Sequence, residues 1–262
     1  MTEHVITAVE KGVLTLTLNR PDKKNALTAP MYGALADGIE RADSDPSIRV
    51  TLIRARGDAF TAGNDLADFA AAGATPVEPR TNEKPHVTRF LENLARAEKP
   101  LIACVNGIAV GVGVTMLLHC DLVYAGEAAS FQTPFVNLGL VPEAGSSLLL
   151  PRLVGMQKAA DLFLTGRKIG AAKAEAMGLV AEVFADNALQ AEAFARAEAI
   201  AAKAPGAVRA TKALLKAHDR EAILARQKQE GAVFAVQLRS AEVKEAISAF
   251  FEKRAPDFSK LG

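Results

Sequence analysis

Three stretches of the 262-residue chain combine residue types and spacings that can do chemistry. The first is Phe60-Thr61-Ala62-Gly63-Asn64-Asp65-Leu66, and the second runs from Val105-Asn106-Gly107 to Gly111-Val112-Gly113. Each is a glycine-containing turn that follows an apolar strand and precedes a helical pattern. A helix start leaves backbone N–H groups without intrahelical acceptors, and its dipole favours negative charge. Two such donors converging on one oxygen would form an oxyanion hole. Taken alone, the same glycines read more simply as plain strand-to-helix connections. The third stretch, Ser130 to Gly145, places Glu143 after Pro142 among Leu140, Val141 and Leu148. Such neighbours would desolvate the carboxylate and raise its pKa toward neutrality. In isolation, an exposed loop glutamate is the simpler reading of Glu143.

Other chemistries fail on spacing. The third glycine of a dinucleotide fingerprint beginning at Gly111 would fall on Met116, and no P-loop pattern occurs. The histidines His4, His86, His119 and His218 lie far apart without a ligand at helical spacing, so each reads as satisfied or solvated. No Gly-x-Ser-x-Gly elbow is present. Dehydrogenase, kinase, zinc enzyme and serine hydrolase are disfavoured, and no metal site or separate cofactor is expected.

The elements that must carry the three stretches alternate over the first 186 residues. Val13 to Leu18 alternates apolar and hydroxyl residues, the pattern of a half-buried strand, and Asn19-Arg20-Pro21-Asp22 ends it. Pro30 to Arg41 has helical spacing with Thr28 as N-cap, and Ile48 to Ile53 is a strand again. A short helix is expected near Asp65 to Ala71, then a proline-containing mobile loop, residues 72–85, beside the binding site. Leu101 to Val105 reads as a buried strand, Gly111 to His119 as a helix, and Leu122 to Tyr124 as a short strand. From about Asn187 alanine-rich helical periodicity continues nearly to Phe251, broken at Pro205-Gly206, near Asp219 and near Ser240. The expected organisation is an α/β core over residues 1–186 bearing the site, then a helical region over residues 187–262. Helices this rich in alanine pack on a neighbouring subunit or on their own core with equal ease.

Composition narrows the class further. The 31 basic and 30 acidic residues leave a formal charge of +1, and the chain has no Trp and two Tyr. Neither a basic surface nor aromatic stacking platforms for nucleic acid are expected. Cys104 and Cys120 read as buried free thiols of a reducing, cytoplasmic setting. The most apolar run, Leu101 to Leu118, is broken by Asn106 and three glycines, so no membrane span is expected.

In this order and spacing the three stretches form a specific pattern, together with Leu18-Asn19-Arg20-Pro21, Asn25-Ala26-Leu27, Cys120-Asp121-Leu122-Val123-Tyr124-Ala125, Leu164-Thr165-Gly166 and Phe250-Phe251-Glu252-Lys253-Arg254. The chain resembles the crotonase (enoyl-CoA hydratase/isomerase) superfamily over nearly its whole length. The resemblance implies an α/β fold, a crotonase-like spiral of β-β-α turns closed by a C-terminal helical trimerisation region, assembled as a homotrimer or a dimer of trimers. It implies an acyl-CoA thioester substrate that brings its own coenzyme A, with the thioester oxygen held by the backbone N–H groups of Ala62 and Val112. Valine stands where the family often has glycine, but it keeps the N–H. Backbone around Lys24 and Ala26, with Ala62, Gly63, Asn64, Asp65 and Leu66, is implied to line the CoA groove. Lys253, with Arg254, is implied to reach a CoA phosphate across a subunit boundary; a solvated terminal charge is the equal alternative.

Departures from the family pattern choose the reaction. Hydratases of this family use two glutamates, and their positions here hold Thr115 and Phe135. Threonine is a poor base at neutral pH and phenylalanine transfers no proton. Glu143 instead stands where hydratases have glycine, and the run from Thr133-Pro134-Phe135 to Ser146-Ser147 is similar to the Δ3-Δ2-enoyl-CoA isomerase branch, which uses this glutamate as its single acid/base. Phe135 then serves to exclude water, and Asn137 either orients the carboxylate or is a turn residue. The expected function is a shift of the double bond of a 3-enoyl-CoA to 2-trans-enoyl-CoA. The alternatives are a hydratase, a hydrolase, a ring isomerase, or a silent acyl-CoA binder.

Overall fold

The chain opens on a hairpin. Strands β1 (Val5–Glu10) and β2 (Val13–Leu18) pair antiparallel about Lys11 and Gly12, both at positive φ (49° and 78°). Two left-handed residues give a two-residue turn the twist its strands need. The structure, a computed structural model, describes residues 2–65, 67–68, 84–216, 219–259 and 261. The expected short helix near Asp65 to Ala71 and the loop 72–85 fall largely outside these residues.

Helix α1 (Ala29–Ser44) follows, with Thr28 in the extended N-cap position and Pro30 in its first turn. Thr28 makes no side-chain cap bond; the first helical amide, Ala29 N–H, donates to Asp68 instead (3.1 Å). From there the chain winds in turns of two strands and a helical segment. The strand pairs are β3 (Val50–Ala55) and β4 (Ala59–Thr61), then β5 (Leu101–Val105) and β6 (Ile108–Val110), then β7 (Leu122–Gly126) and β8 (Ser130–Gln132). Helix α2 (His86–Arg96) precedes β5, and α3 (Val112–Thr115) with a 3-10 turn (Met116–His119) follows β6. The expected helix from Gly111 to His119 is thus tightened over its second half. Helices α4 (Ser146–Val154) and α5 (Met156–Thr165), strand β9 (Ile169–Gly170), α6 (Ala171–Ala176) and β10 (Glu182–Phe184) complete this part.

In each pair one strand enters each of two sheets. The first has the order β1-β2-β3-β5-β7-β10 and is parallel apart from the hairpin; the second has the order β4-β6-β8-β9, with only β9 antiparallel. This is the spiral of β-β-α turns.

Strand β2 departs from its pattern, because all six residues are buried. Leu14, Leu16 and Leu18 meet Met31, Leu35 and Ile39 of α1. The opposite face of the sheet, with Val13, Val50, Leu52, Ile102 and Cys104, is covered by Leu189, Ala193 and Ala197 of helix α7 (Leu189–Ala201). Thr15 and Thr17 are buried by the same cover, and Thr17 Oγ1 accepts from Arg54 Nε (3.2 Å). Cys104 is buried as expected, whereas Cys120 is half-buried; both are free thiols. Helices α8 (Pro205–Lys216), α9 (Arg220–Gln237) and α10 (Ala241–Phe251) follow. Among the described residues no helix is long and apolar enough to cross a membrane.

Candidate active site

Strands β4 and β6 lie side by side and parallel, Thr61 opposite Ala109, so the turns that follow them emerge together. Gly63 (φ 93°) permits the approach, since a Cβ there would sit 2.9 Å from the Val110 carbonyl oxygen. The first turn is tied to the chain after Pro21. Leu27 N–H donates to Gly63 O (2.8 Å), Asp65 N–H to Leu27 O (3.0 Å) and Ala62 N–H to Lys24 O (2.9 Å). Buried Asn25 (φ 54°) holds this backbone, accepting from Arg20 N–H (2.7 Å) and donating to the carbonyls of Arg56 (2.8 Å) and Ala59 (2.7 Å).

These bonds correct one expectation. Ala62 N–H is engaged by the Lys24 carbonyl and is not a free donor. Asn64 forms a parallel bridge with Leu27 through its neighbours, the Gly63 carbonyl and the Asp65 amide, so its own N–H faces the other way. Val112 N–H is the first of α3, where no intrahelical acceptor exists. Among the described residues, the Asn64 and Val112 N–H groups donate no hydrogen bond. The sequence missed Asn64 as a donor because residue type does not report which way a peptide N–H points.

Thr115 lies three residues beyond Val112, about 4.5 Å along the helix axis. Its fully buried hydroxyl donates to Glu143 Oε1. Burial raises the Glu143 carboxyl to about 7; the Thr115 bond pulls the other way, and the nearby Glu230 carboxylate adds to the rise. Glu143 as a residue is half-buried. On the other side stands buried Tyr32 of α1, whose hydroxyl donates to Asn64 Oδ1. Burial, with Glu143 nearby, raises that phenol well above its ordinary range.

A cavity of about 760 Å³ opens in front of these groups. Of the residues expected to contact substrate, Lys24, Ala26, Ala62, Gly63, Asn64, Asp65, Val112, Phe135 and Asn137 line it. Glu143 is not among the lining residues; it is joined to the helix of Val112 through Thr115. Phe135 is buried and packs on Phe163 with ring centroids 6.3 Å apart. Asn137 is exposed in a 3-10 turn (Val136–Leu138). Asp65 is paired with Arg20 at 2.6 Å, which holds its carboxyl below the usual range, and Lys24 is paired with Asp58 at 2.5 Å. Leu66 lies outside the described residues. Lys253 is exposed and stands apart from this cavity, and Arg254 is held by Glu245 and Glu252. The helical region adds Phe234, Phe250 and Phe251 to the wall.

The arrangement suits carbanion chemistry next to a carbonyl. Two free N–H groups can take a developing oxyanion, and a carboxyl titrating near neutrality stands one helical turn away. Residues 8–260 match the enoyl-CoA hydratase/isomerase family. The chain is 35% identical to enoyl-CoA delta isomerase 2 of Rattus norvegicus over 95% of its own length, and it spans only 64% of that relative. It is 36% identical to 2,3-dehydroadipyl-CoA hydratase of Escherichia coli, covering 97% of this chain and 98% of the other. An enoyl-CoA hydratase/isomerase from Pseudoalteromonas atlantica has a crystal structure that superposes with a TM-score of 0.92 at 50% identity, covering 98% of this chain and all of that one. The crotonase-like spiral is therefore the fold observed, and the chain belongs to the enoyl-CoA hydratase/isomerase family.

Proposed function

We propose that the protein is an acyl-CoA isomerase that moves the double bond of a 3-enoyl-CoA to the 2-trans position. The observation that carries this reading is the Glu143 carboxyl, raised to about 7 by burial and hydrogen-bonded by Thr115 of the Val112 helix. Glu143 removes a proton from the α-carbon, and the electron pair passes into the thioester, leaving a dienolate. Its oxygen is stabilised by the N–H groups of Asn64 and Val112. Protonated Glu143 then delivers the same proton to the γ-carbon, so no water is consumed. Hydration would call for a second carboxyl, but Thr115 and Phe135 are not acids, and nearby Glu230 accepts from Gly145 and Ser147 N–H (2.5 and 2.9 Å). The relative named delta isomerase favours this reading, and the relative named hydratase keeps hydration as the alternative outcome of the test.

The substrate is an acyl-CoA thioester, and the active form is a homo-oligomer, a trimer or a dimer of trimers. Exposed Leu214, Leu215, Val233 and Val236 of the helical region support the assembly. Lys253 would then meet a CoA phosphate across the subunit boundary. A thioester panel assayed with wild type and Glu143→Gln tests the chemistry. The wild type should form conjugated 2-enoyl-CoA from 3-enoyl-CoA, and Glu143→Gln should lose about 100-fold or more of that activity while retaining acyl-CoA binding. Full activity in the variant, or wild-type protein that only consumes conjugated thioester, refutes the assignment.

A further inference from the structure

The residues that follow Glu143 are held in an unfavourable conformation. Ala144 (φ 63°) and Gly145 (φ 74°) are consecutive left-handed residues, and the alanine is buried. A non-glycine residue there brings its Cβ against the following carbonyl oxygen, so its surroundings must hold it. Both ends of the peptide unit joining the two residues are held. Its carbonyl, Ala144 O, lies 2.7 Å from His119 Nε2. Buried His119 is pushed down to about 4, so the ring is neutral and donates through Nε2–H. The amide of the same unit, Gly145 N–H, donates to Glu230 Oε2 (2.5 Å), and the other oxygen of Glu230 accepts from Ser147 N–H (2.9 Å). A helix from the C-terminal region thus supplies the acceptor at the start of α4, whose own N-cap residue, Gly145, has no side chain for the task.

We propose that His119 and Glu230 are positioning residues for Glu143: by fixing the two ends of one peptide plane they set the direction in which its carboxyl is presented to the oxyanion donors. This rests on Glu143 being the acid/base. Both hold the Ala144–Gly145 peptide and act through it, so they are positioning residues and not catalytic ones. The groups facing Glu143 are Tyr32 from α1, Thr115 from α3 and Glu230 from α9. Glu230 faces Arg226 and the Gly145 and Ser147 amides, and Lys212 and Lys216 act on His119.

The test compares His119→Leu, His119→Gln, Glu230→Gln and Glu143→Gln by steady-state kinetics on 3-enoyl-CoA. It adds a pH titration of the Glu143 carboxyl by infrared difference spectroscopy on 13C-glutamate protein, the band being assigned by its loss in Glu143→Gln. His119→Leu and Glu230→Gln should lower kcat by about 10- to 100-fold with KM held within about twofold. His119→Gln restores a donor and should recover most of the rate. The Glu143 titration should move to lower pH in both impaired variants, through lost enclosure in one and lost negative charge in the other. Should His119→Leu fold poorly by circular dichroism, Glu230→Gln, which keeps the side-chain volume, carries the same expectation. Wild-type kcat in the folded variants, or an unmoved titration, overturns the proposal. An active Glu143→Gln instead overturns the acid/base reading, and the titration still reports on positioning by itself.

Discussion

Ionisation of Glu143 costs folding free energy, and the sign of that cost can be measured. Its carboxyl titrates at about 7 in the folded chain and at 4.5 ordinarily. Below about pH 4.5 it is protonated in both states and contributes no difference. Between these values the unfolded chain releases the proton first, so stability falls as pH rises, and above about 7 the loss is complete. Glu143→Gln removes the ionisation and keeps an acceptor for Thr115. The variant's stability relative to wild type should therefore rise from pH 5 to pH 8, by up to about 2 kcal/mol. Urea denaturation of both proteins at the two pH values checks this, and a pH-independent gap would exclude a buried ionisable Glu143. Glu143 was legible through the family resemblance, because its neighbours Leu140, Val141 and Leu148 by themselves leave an exposed loop glutamate as the simpler reading. Glu230 was not, because the run Arg226-Gln227-Lys228-Gln229-Glu230 reads as a solvated helix face. Only the fold reveals that Glu230 turns inward to the amides of Gly145 and Ser147.

At the scale of elements, the site depends on how closely the turns of the spiral stack. Gly107, between β5 and β6, has φ 67°, and a Cβ there would fall 1.9 Å from the Asp58 carbonyl oxygen. Its own carbonyl accepts from Ser130 N–H (2.9 Å), so one corner joins the starts of β4 and β8. Gly107→Ala meets backbone rather than a movable side chain, in a conformation alanine disfavours. A loss of about 2–3 kcal/mol or more is expected, seen as a lower urea midpoint. An unchanged midpoint would show that the corner relaxes freely. Local pattern located four of the ten strands among the described residues, β2, β3, β5 and β7; it missed β1 and the short strands β4, β6, β8, β9 and β10, and it misjudged the burial of β2. Alternating leucines and threonines imply one wet face, and nothing within Val13 to Leu18 announces that Ala193 and Ala197, far along the chain, will cover it. Strand β1, largely exposed beyond Val5, has little apolar signal of its own and is held by pairing with β2.

Among the described residues, the last three helices leave several large apolar side chains uncovered. Half of the large apolar side chains exposed among the described residues belong to α8, α9 and α10: Leu214, Leu215, Val233, Val236, Phe250 and Phe251. Helix α7 uses its alanines against the chain's own sheet, so alanine content alone did not tell which helices face outward. Phe250 and Phe251 line the substrate cavity, and the exposed leucines and valines of α8 and α9 are the side chains that contact with another molecule would cover. The net charge of +1 offers little repulsion between copies of the chain. Leu214 and Leu215 are 78% and 79% exposed, so changing them costs the isolated chain almost nothing. The double substitution Leu214→Glu, Leu215→Glu should leave circular dichroism unchanged and convert the proposed oligomer to the 27.6 kDa chain in light scattering. It would do so because burying two carboxylates without partners costs several kcal/mol per subunit. A wild-type protein that runs as a monomer at micromolar concentration would refute the assembly while leaving Glu143 and its oxyanion donors, all drawn from one chain, as they stand.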